Sequence, residues 1–254
     1  MAPLSGHTAI VTGSGRNIGR AIVLALAAAG ADVVVNGHRD RDRVDAVVAE
    51  VAALKTGAAA IGVMADVSDP DQVANLVKTS ADAFGRPVDI AISNVGQRRR
   101  QPFEEITIDD WLQVMATNLN SAFYLAHHVL PGMREQGWGR VIHISGYDGW
   151  TGHIDQRAHS VTAKAGLPGL TKALAREYGP SGITVNTIAP GAIATERDPD
   201  QYGHIDIDDV RKRLAIKHFG RPDDIAAACL YLAGDSGRFV TGQVLHVNGG
   251  EFMF

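Results

Sequence analysis

Three short runs of this 254-residue chain carry side chains able to do chemistry. The first is TGSGRNIG, from Thr12 to Gly19, where glycines would let a backbone approach a ligand closely. Placed between a strand and a helix, such a turn offers main-chain N–H groups and a helix dipole to a pyrophosphate. The second is the basic loop Gly96-Gln97-Arg98-Arg99-Arg100-Gln101, whose guanidiniums suit a carboxylate or phosphate. The third spans Gly146 to Lys164 and holds Tyr147, His153, Asp155, His159, Ser160 and Lys164. Histidine has the pKa to move protons near neutrality, and a phenol or lysine can do so once its environment tunes it. His153, His159 and His204 match no metal-ligand spacing, so no metal site is expected.

The surrounding elements must hold these runs together. Seven short apolar stretches read as strands: His7–Thr12, Asp32–Asn36, Ala59–Val63, Asp89–Ser93, Arg140–Ser145, Thr184–Ala189 and Val244–Val247. Their interiors are continuous apolar runs, as expected for strands covered on both faces. Between the first two, Ile18, Ala21, Ile22, Ala25 and Leu26 keep helical spacing, and Gly30 ends the helix. Asp69-Pro70 and Arg221-Pro222 put proline in a helix's first turn. The alternation predicts an α/β fold: one doubly wound, Rossmann-type parallel sheet of about seven strands, with helices on both faces. No repeat or linker divides residues 1–254, so a single domain is expected. The stretch 191–220 follows the end of a strand and reads as a lid over a ligand crevice.

Composition narrows the function. A net charge of −4 argues against a nucleic-acid surface. The lone Cys229 cannot form an internal disulfide and lies in the apolar run AAACLYLA, which reads as core. No signal-peptide pattern opens the chain, and no apolar run reaches the roughly 20 residues that span a bilayer. A cytoplasmic protein with a small-molecule substrate, and no membrane or nucleic-acid partner, is expected.

Over essentially its whole length the sequence resembles the short-chain dehydrogenases/reductases. The T-G-x-x-x-G-x-G turn is present with Asn17 in place of its middle glycine. The N-N-A-G strand end becomes Ser93-Asn94-Val95-Gly96, and ATNLNSAF supplies the family's helix asparagine, Asn118. Lys164, the turn Ala189-Pro190-Gly191 with Ile193 and Thr195, and TGQVLHVNGG follow in order. The resemblance implies a nicotinamide dinucleotide held by Gly13, Ser14, Arg16, Asn17, Ile18, Gly19, Asn94, Val95, Gly96, Lys164, Pro190, Gly191, Ile193 and Thr195. Asp66-Val67 matches the pair that contacts adenine. Gly37 stands where an acid would bind the ribose 2′-OH of NAD. Arg16 and Arg39 suit a 2′-phosphate instead, so NADP is preferred to NAD. The family is commonly tetrameric, so a homotetramer, or a homodimer, is expected, and the apolar end Phe252-Met253-Phe254 would suit burial between subunits.

In that family a serine orients the carbonyl, a tyrosine transfers the proton, and a lysine holds the ribose. Here the tyrosine position is Ser160 and the serine position is Gly146, with Ser145 just before it. A serine hydroxyl extends only about 2.4 Å from Cα, a phenol's about 6.5 Å. Either a water held by Ser160 and Lys164 fills the gap, or another side chain donates the proton, with Tyr147 first, then His153 and His159. The catalytic set reads Asn118, Ser145, Tyr147, His153, Ser160 and Lys164. The reading favoured is an NADP-dependent oxidoreductase acting on a carbonyl or secondary alcohol of a polar, anionic small molecule. A non-redox enzyme on the same scaffold and an inactive nucleotide-binding subunit are the alternatives.

Overall fold

A computed structural model describes residues 2–151, 156–196 and 207–253. Seven strands form one parallel sheet: β1 (Thr8–Val11), β2 (Asp32–Gly37), β3 (Ala60–Met64), β4 (Ile90–Ser93), β5 (Gly139–Ile144), β6 (Ile183–Pro190) and β7 (Val244–Val247). Their order across the sheet is β3-β2-β1-β4-β5-β6-β7. All seven expected strands form, within a residue or two at each end. The helices between them are α1 (Asn17–Ala28), α2 (Arg41–Ala53), α3 (Pro70–Phe84), α4 (Ile108–Met115), α5 (Ser121–Gln136), α6 (Ala158–Tyr178), α7 (Ile207–Arg213) and α8 (Pro222–Ala233).

Successive strand residues point to opposite faces, so each strand feeds two cores. Ala9 and Val11, Ile90 and Ile92, and Ile142 and Ile144 pack with Ile22 and Leu26 of α1 and Ile225 and Cys229 of α8. Ile10, Ala91 and Val141 join Leu76 of α3 and Leu125, Leu130 and Met133 of α5 on the other face. Burial pushes the Cys229 thiol well up, which leaves it an inert core side chain.

Local signals explain the helix ends. Asp69 caps α3, its carboxylate accepting from the N–H groups of Asp71 and Gln72, with Pro70 in the first turn and left-handed Gly85 at the end. Two features carried no sequence signal. The chain between α4 and α5 continues as a π-helical turn, Ala116–Asn120. The stretch 191–220, read as a lid without a clear period, contains α7, whose seven residues bury only Val210. One buried side chain in two turns leaves no period to read.

Candidate active site

β1 lies between β2 and β4, so the chain leaves β1 and β4 in opposite directions and a crevice opens at their C-terminal ends. Gly13 enters it with φ +61, and a Cβ there would meet Val95 Cγ2 at 2.7 Å. Gly19 packs so closely that a Cβ would stand 2.5 Å from Gly13 O and 2.8 Å from Asn94 Nδ2. Asn94 ties the two strand ends, donating to Thr12 O at 3.0 Å and Gly13 O at 3.2 Å. Beneath the turn, buried Asn36 accepts from Gly13 N–H at 3.1 Å and donates to the carbonyls of Val63 and Ala65, each at 3.2 Å. The Ser14 hydroxyl donates to Val11 O at 2.7 Å and accepts from Asn36 N–H at 3.0 Å.

Asn17 adopts φ +51, a left-handed conformation asparagine tolerates. Its amide both donates to Glu196 O and accepts from Glu196 N–H, each at 3.0 Å. Arg43 of α2 pairs with the Glu196 carboxylate at 2.9 Å. These contacts hold the segment after β6 across the glycine turn. The cleft beneath has two adjoining lobes that share Ile18, Asn94, Gly96 and Thr195. The outer lobe adds Gly13, Arg16, Asn17 and Val95, and a backbone cradle at a helix N-terminus fits a pyrophosphate.

Arg16, in the glycine turn, and Arg39, just after β2, are both exposed. Gly37 has no room for a side chain: a Cβ would stand 2.5 Å from Val44 Cγ2. Packing thus excludes an acid at that point. Asp66 follows β3. Burial opposes its charge, but the hydroxyl and N–H of Ser68 hold its carboxyl below the usual range. Val67 is buried beside it.

The inner lobe is lined by Arg98, Ile144, Ser145, Lys164, Pro190, Gly191 and Ile193 with the shared residues. Lys164 is 5% exposed and donates from Nζ to Ile144 O at 2.8 Å. Burial, and then the charge of Arg98, push its pKa down to about 7 against the pull of Asp148. Ser145 turns its hydroxyl to Lys164 O at 2.9 Å. Asn118, in the π turn, grips the backbone of Gln97 from both sides, accepting from its N–H at 2.6 Å and donating to its carbonyl at 2.8 Å. The Ser160 hydroxyl donates to the same carbonyl at 3.2 Å. One peptide group therefore joins Asn118 and Ser160 and holds the start of the arginine loop.

Of the other expected donors, Tyr147 and His159 are described. Tyr147 does not line the inner lobe. Its ring is buried and stacks on Phe252 with centroids 5.0 Å apart. Burial, then Asp148 and Glu251, push its phenol up to about 12. His159 is fully buried, with Nδ1 accepting from Ser160 N–H, and burial lowers its pKa. His153, Asp155 and His204 lie outside the described residues. Phe252 stacks on Tyr147 of its own chain, Met253 is exposed, and Phe254 is not described.

A family model described as enoyl-(acyl carrier protein) reductase matches residues 13–251. A short-chain dehydrogenase from Burkholderia cenocepacia, solved in complex with NADP, superposes with a TM-score of 0.90 at 36% identity, covering 98% of this chain and 99% of that one. The chain belongs to the short-chain dehydrogenase/reductase family. It is 38% identical to a 3-oxoacyl-[acyl-carrier-protein] reductase of Synechocystis over the full length of both. It is 35% identical to a D-beta-hydroxybutyrate dehydrogenase of Rhizobium meliloti, across 96% of this chain and 97% of that one.

Sequence reasoning missed Asn36, Arg43, Glu196 and the buried pair Asp148–Arg157, 3.6 Å apart. Only Glu196 carried a signal, as the residue after Thr195. Among the described residues no cluster of His, Cys, Asp and Glu could hold a metal. No described helix is long and apolar enough to cross a membrane.

Proposed function

We propose that this chain is an NADP-dependent oxidoreductase that interconverts a carbonyl and a secondary alcohol on a small, anionic molecule. A short 3-oxo or 3-hydroxy carboxylate fits best. The observation that carries the reading is Lys164, buried at the inner end of a dinucleotide-shaped cleft beside Arg98. When bound, the nicotinamide supplies a hydride to the carbonyl carbon or accepts one from the alcohol. The glycine turn holds the pyrophosphate, Asp66 and Val67 meet the adenine, and Arg16 and Arg39 meet the 2′-phosphate. Lys164 binds the nicotinamide ribose and, through its lowered pKa, moves the proton.

Three findings support the details. The names of the relatives describe an oxygen on the third carbon of an acyl group or a carboxylate, and the Burkholderia protein holds NADP. Arg98 lines the inner lobe with Lys164, so an anionic group there has cationic company. Ser160 stands at the family's tyrosine position with its hydroxyl held by a backbone carbonyl, and no phenol lines the inner lobe among the described residues, which supports a non-standard proton donor. We read the whole chain as one catalytic domain, with 191–220 as its lid. Exposed Ile108, Leu112 and Phe123 on α4 and α5, and Phe239 and Leu245 near β7, support a homotetramer or homodimer, which light scattering tests.

The direct test is to incubate the protein with NADPH and a panel of keto acids and neutral ketones, following oxidation of the dinucleotide. Turnover is expected with short 3-oxo acids. Tight NADPH binding without turnover on any carbonyl would overturn the reading. Arg16→Ala with Arg39→Ala should weaken NADPH much more than NADH, and equal losses would remove the NADP assignment.

A further inference from the structure

Asn17 stands where the family's turn has its middle glycine, and its backbone keeps a glycine-like conformation, with φ +51. Few side chains tolerate that region: asparagine and aspartate do, while branched and bulky ones are strained. Of the residues that fit, glycine offers no side chain and an ionised aspartate only accepts hydrogen bonds. An amide donates and accepts at once. Asn17 uses both functions on one distant residue, donating to Glu196 O and accepting from Glu196 N–H, each at 3.0 Å. That two-way grip accounts for asparagine at this position.

Glu196 reaches Asn17 by crossing the cleft. β6, from which its segment departs, lies three strand spacings from β1, about 14 Å away. The stretch 191–196 can reach about 20 Å when extended, enough to pass the C-terminal ends of β5 and β4 and meet the start of α1. Its two ends are fastened differently. Near β6 the attachment is backbone: Gly191 N–H donates to Val247 O at 3.0 Å, Ala194 N–H to Gly220 O at 2.8 Å, and Gly220 N–H to Ala192 O at 3.0 Å. At the far end it consists of the Asn17 amide and the ion pair of Glu196 with Arg43 at 2.9 Å, all exposed. Arg43, and then Arg16, hold the Glu196 carboxyl below the usual range, so it stays ionised near neutrality.

Thr195 lies between the two fastenings and lines both lobes of the cleft beneath. β1, the glycine turn, Asn17, Glu196 and the segment back to β6 therefore close a ring over the cleft. A dinucleotide that fills both lobes passes through that ring. Among its links, the contacts at Glu196 open without breaking the sheet or a covalent bond.

We infer that Asn17 is a positioning residue whose amide buckles the segment 191–196 over the bound dinucleotide, and that opening this buckle sets how fast NADP enters and leaves. The inference rests on the NADP reading above and not on any substrate. The buckle's bonds join protein to protein, so they bear on entry and exit alike. Weakening them should speed both steps and leave the affinity between them nearly unchanged.

The experiment measures NADPH association and dissociation by stopped-flow fluorescence in wild type, Asn17→Gly and Glu196→Gln. Hydrogen exchange at Glu196 N–H reports opening of the buckle. Asn17→Gly preserves the left-handed backbone, so the turn should still form. Both rates should rise about 5–10-fold, the worth of two exposed hydrogen bonds at the lower end of their range, and Kd should stay within about twofold. Glu196→Gln keeps both backbone bonds and removes only an exposed ion pair, so both rates should change by less than about twofold. Faster exit with unchanged entry in Asn17→Gly would make Asn17 a ligand of the dinucleotide and overturn the inference. Unchanged rates would overturn it as well, whether or not Glu196 N–H exchanges faster. Wild type that binds NADPH behind the buckle but turns over no carbonyl would remove the reduction reading and leave the inference standing. Wild type that does not bind NADPH would sink both.

Discussion

Burial of Lys164 has a cost that can be read as a pH dependence of stability. Its pKa falls from 10.5 to about 7 in the folded chain. Between these values the unfolded chain keeps a proton that the folded chain has released. The unfolded state thus binds more protons, and stability attributable to this residue rises with pH across that window. Below pH 7 both states are charged and the folded state bears the full penalty, roughly 5 kcal/mol at about 1.36 kcal/mol per pKa unit. From pH 6.5 to 9.5 the linkage integrates to about 3 kcal/mol. Lys164→Met removes the charge while keeping most of the volume, and it leaves Ile144 O without its donor, a pH-independent loss of about 1 kcal/mol.

The assay is urea unfolding of both proteins at several pH values, taken as a difference so that every other titration cancels. At pH 6.5 the methionine variant should be the more stable. Wild type should recover about 3 kcal/mol relative to it by pH 9.5. A difference that stays flat across this range would show that Lys164 titrates near its ordinary value. The proton-delivery role given to it would then fail as well.

Three further outcomes follow from named contacts. Asn36→Ala strips a buried partner from Gly13 N–H and from the Val63 and Ala65 carbonyls; it should cost about 2–4 kcal/mol in denaturation and weaken NADPH, with Asn36→Asp retaining only the Gly13 contact. Asn17→Gly preserves the left-handed backbone but deletes both bonds to Glu196, so hydrogen exchange at Glu196 N–H should accelerate while global stability moves by no more than about 1 kcal/mol. Asp148→Asn leaves Arg157 buried beside a neutral partner and should cost about 3–5 kcal/mol, whereas Asp148→Asn with Arg157→Met should cost less; equal losses in thermal melts would mean that the pair is not coupled.

The sheet was legible because its strands are covered on both faces, so AIV, VVV and IAI stand out as unbroken apolar runs. The cofactor turn was legible because its glycines answer to local constraints: Gly13 to a positive φ and Gly19 to close packing. Asn36 was not, since a polar residue at a strand end looks like a loop residue until three chain segments converge on its amide. Tyr147 stood out as a donor because it sits one residue from Gly146. Its ring instead turns to Phe252 near the other end of the chain, a contact that no local spacing encodes.

The burial of Lys164 belongs to the same class of hidden information, and it changes what the serine at 160 means. In the proposed site an ammonium does the work of the phenol, and ordinary lysine is poorly suited to it: at pKa 10.5 it is no stronger an acid than a phenol near 10. Burial and a neighbouring guanidinium bring Lys164 to about 7, where it is half protonated at neutral pH and matched to proton transfer in either direction. The Arg98 guanidinium in the same wall adds to the acidity that burial gives the lysine. Ser160 then needs only to anchor the Gln97 carbonyl, and with Asn118 it fixes the residue just before Arg98. On this reasoning Ser160→Ala should lower kcat less than Arg98→Ala does and leave the limb of the kcat–pH profile set by Lys164 where it is, because it loosens the support of Arg98 without removing a charge from beside Lys164. A shift of that limb in Ser160→Ala, with the limb unmoved in Arg98→Ala, would reverse the assignment.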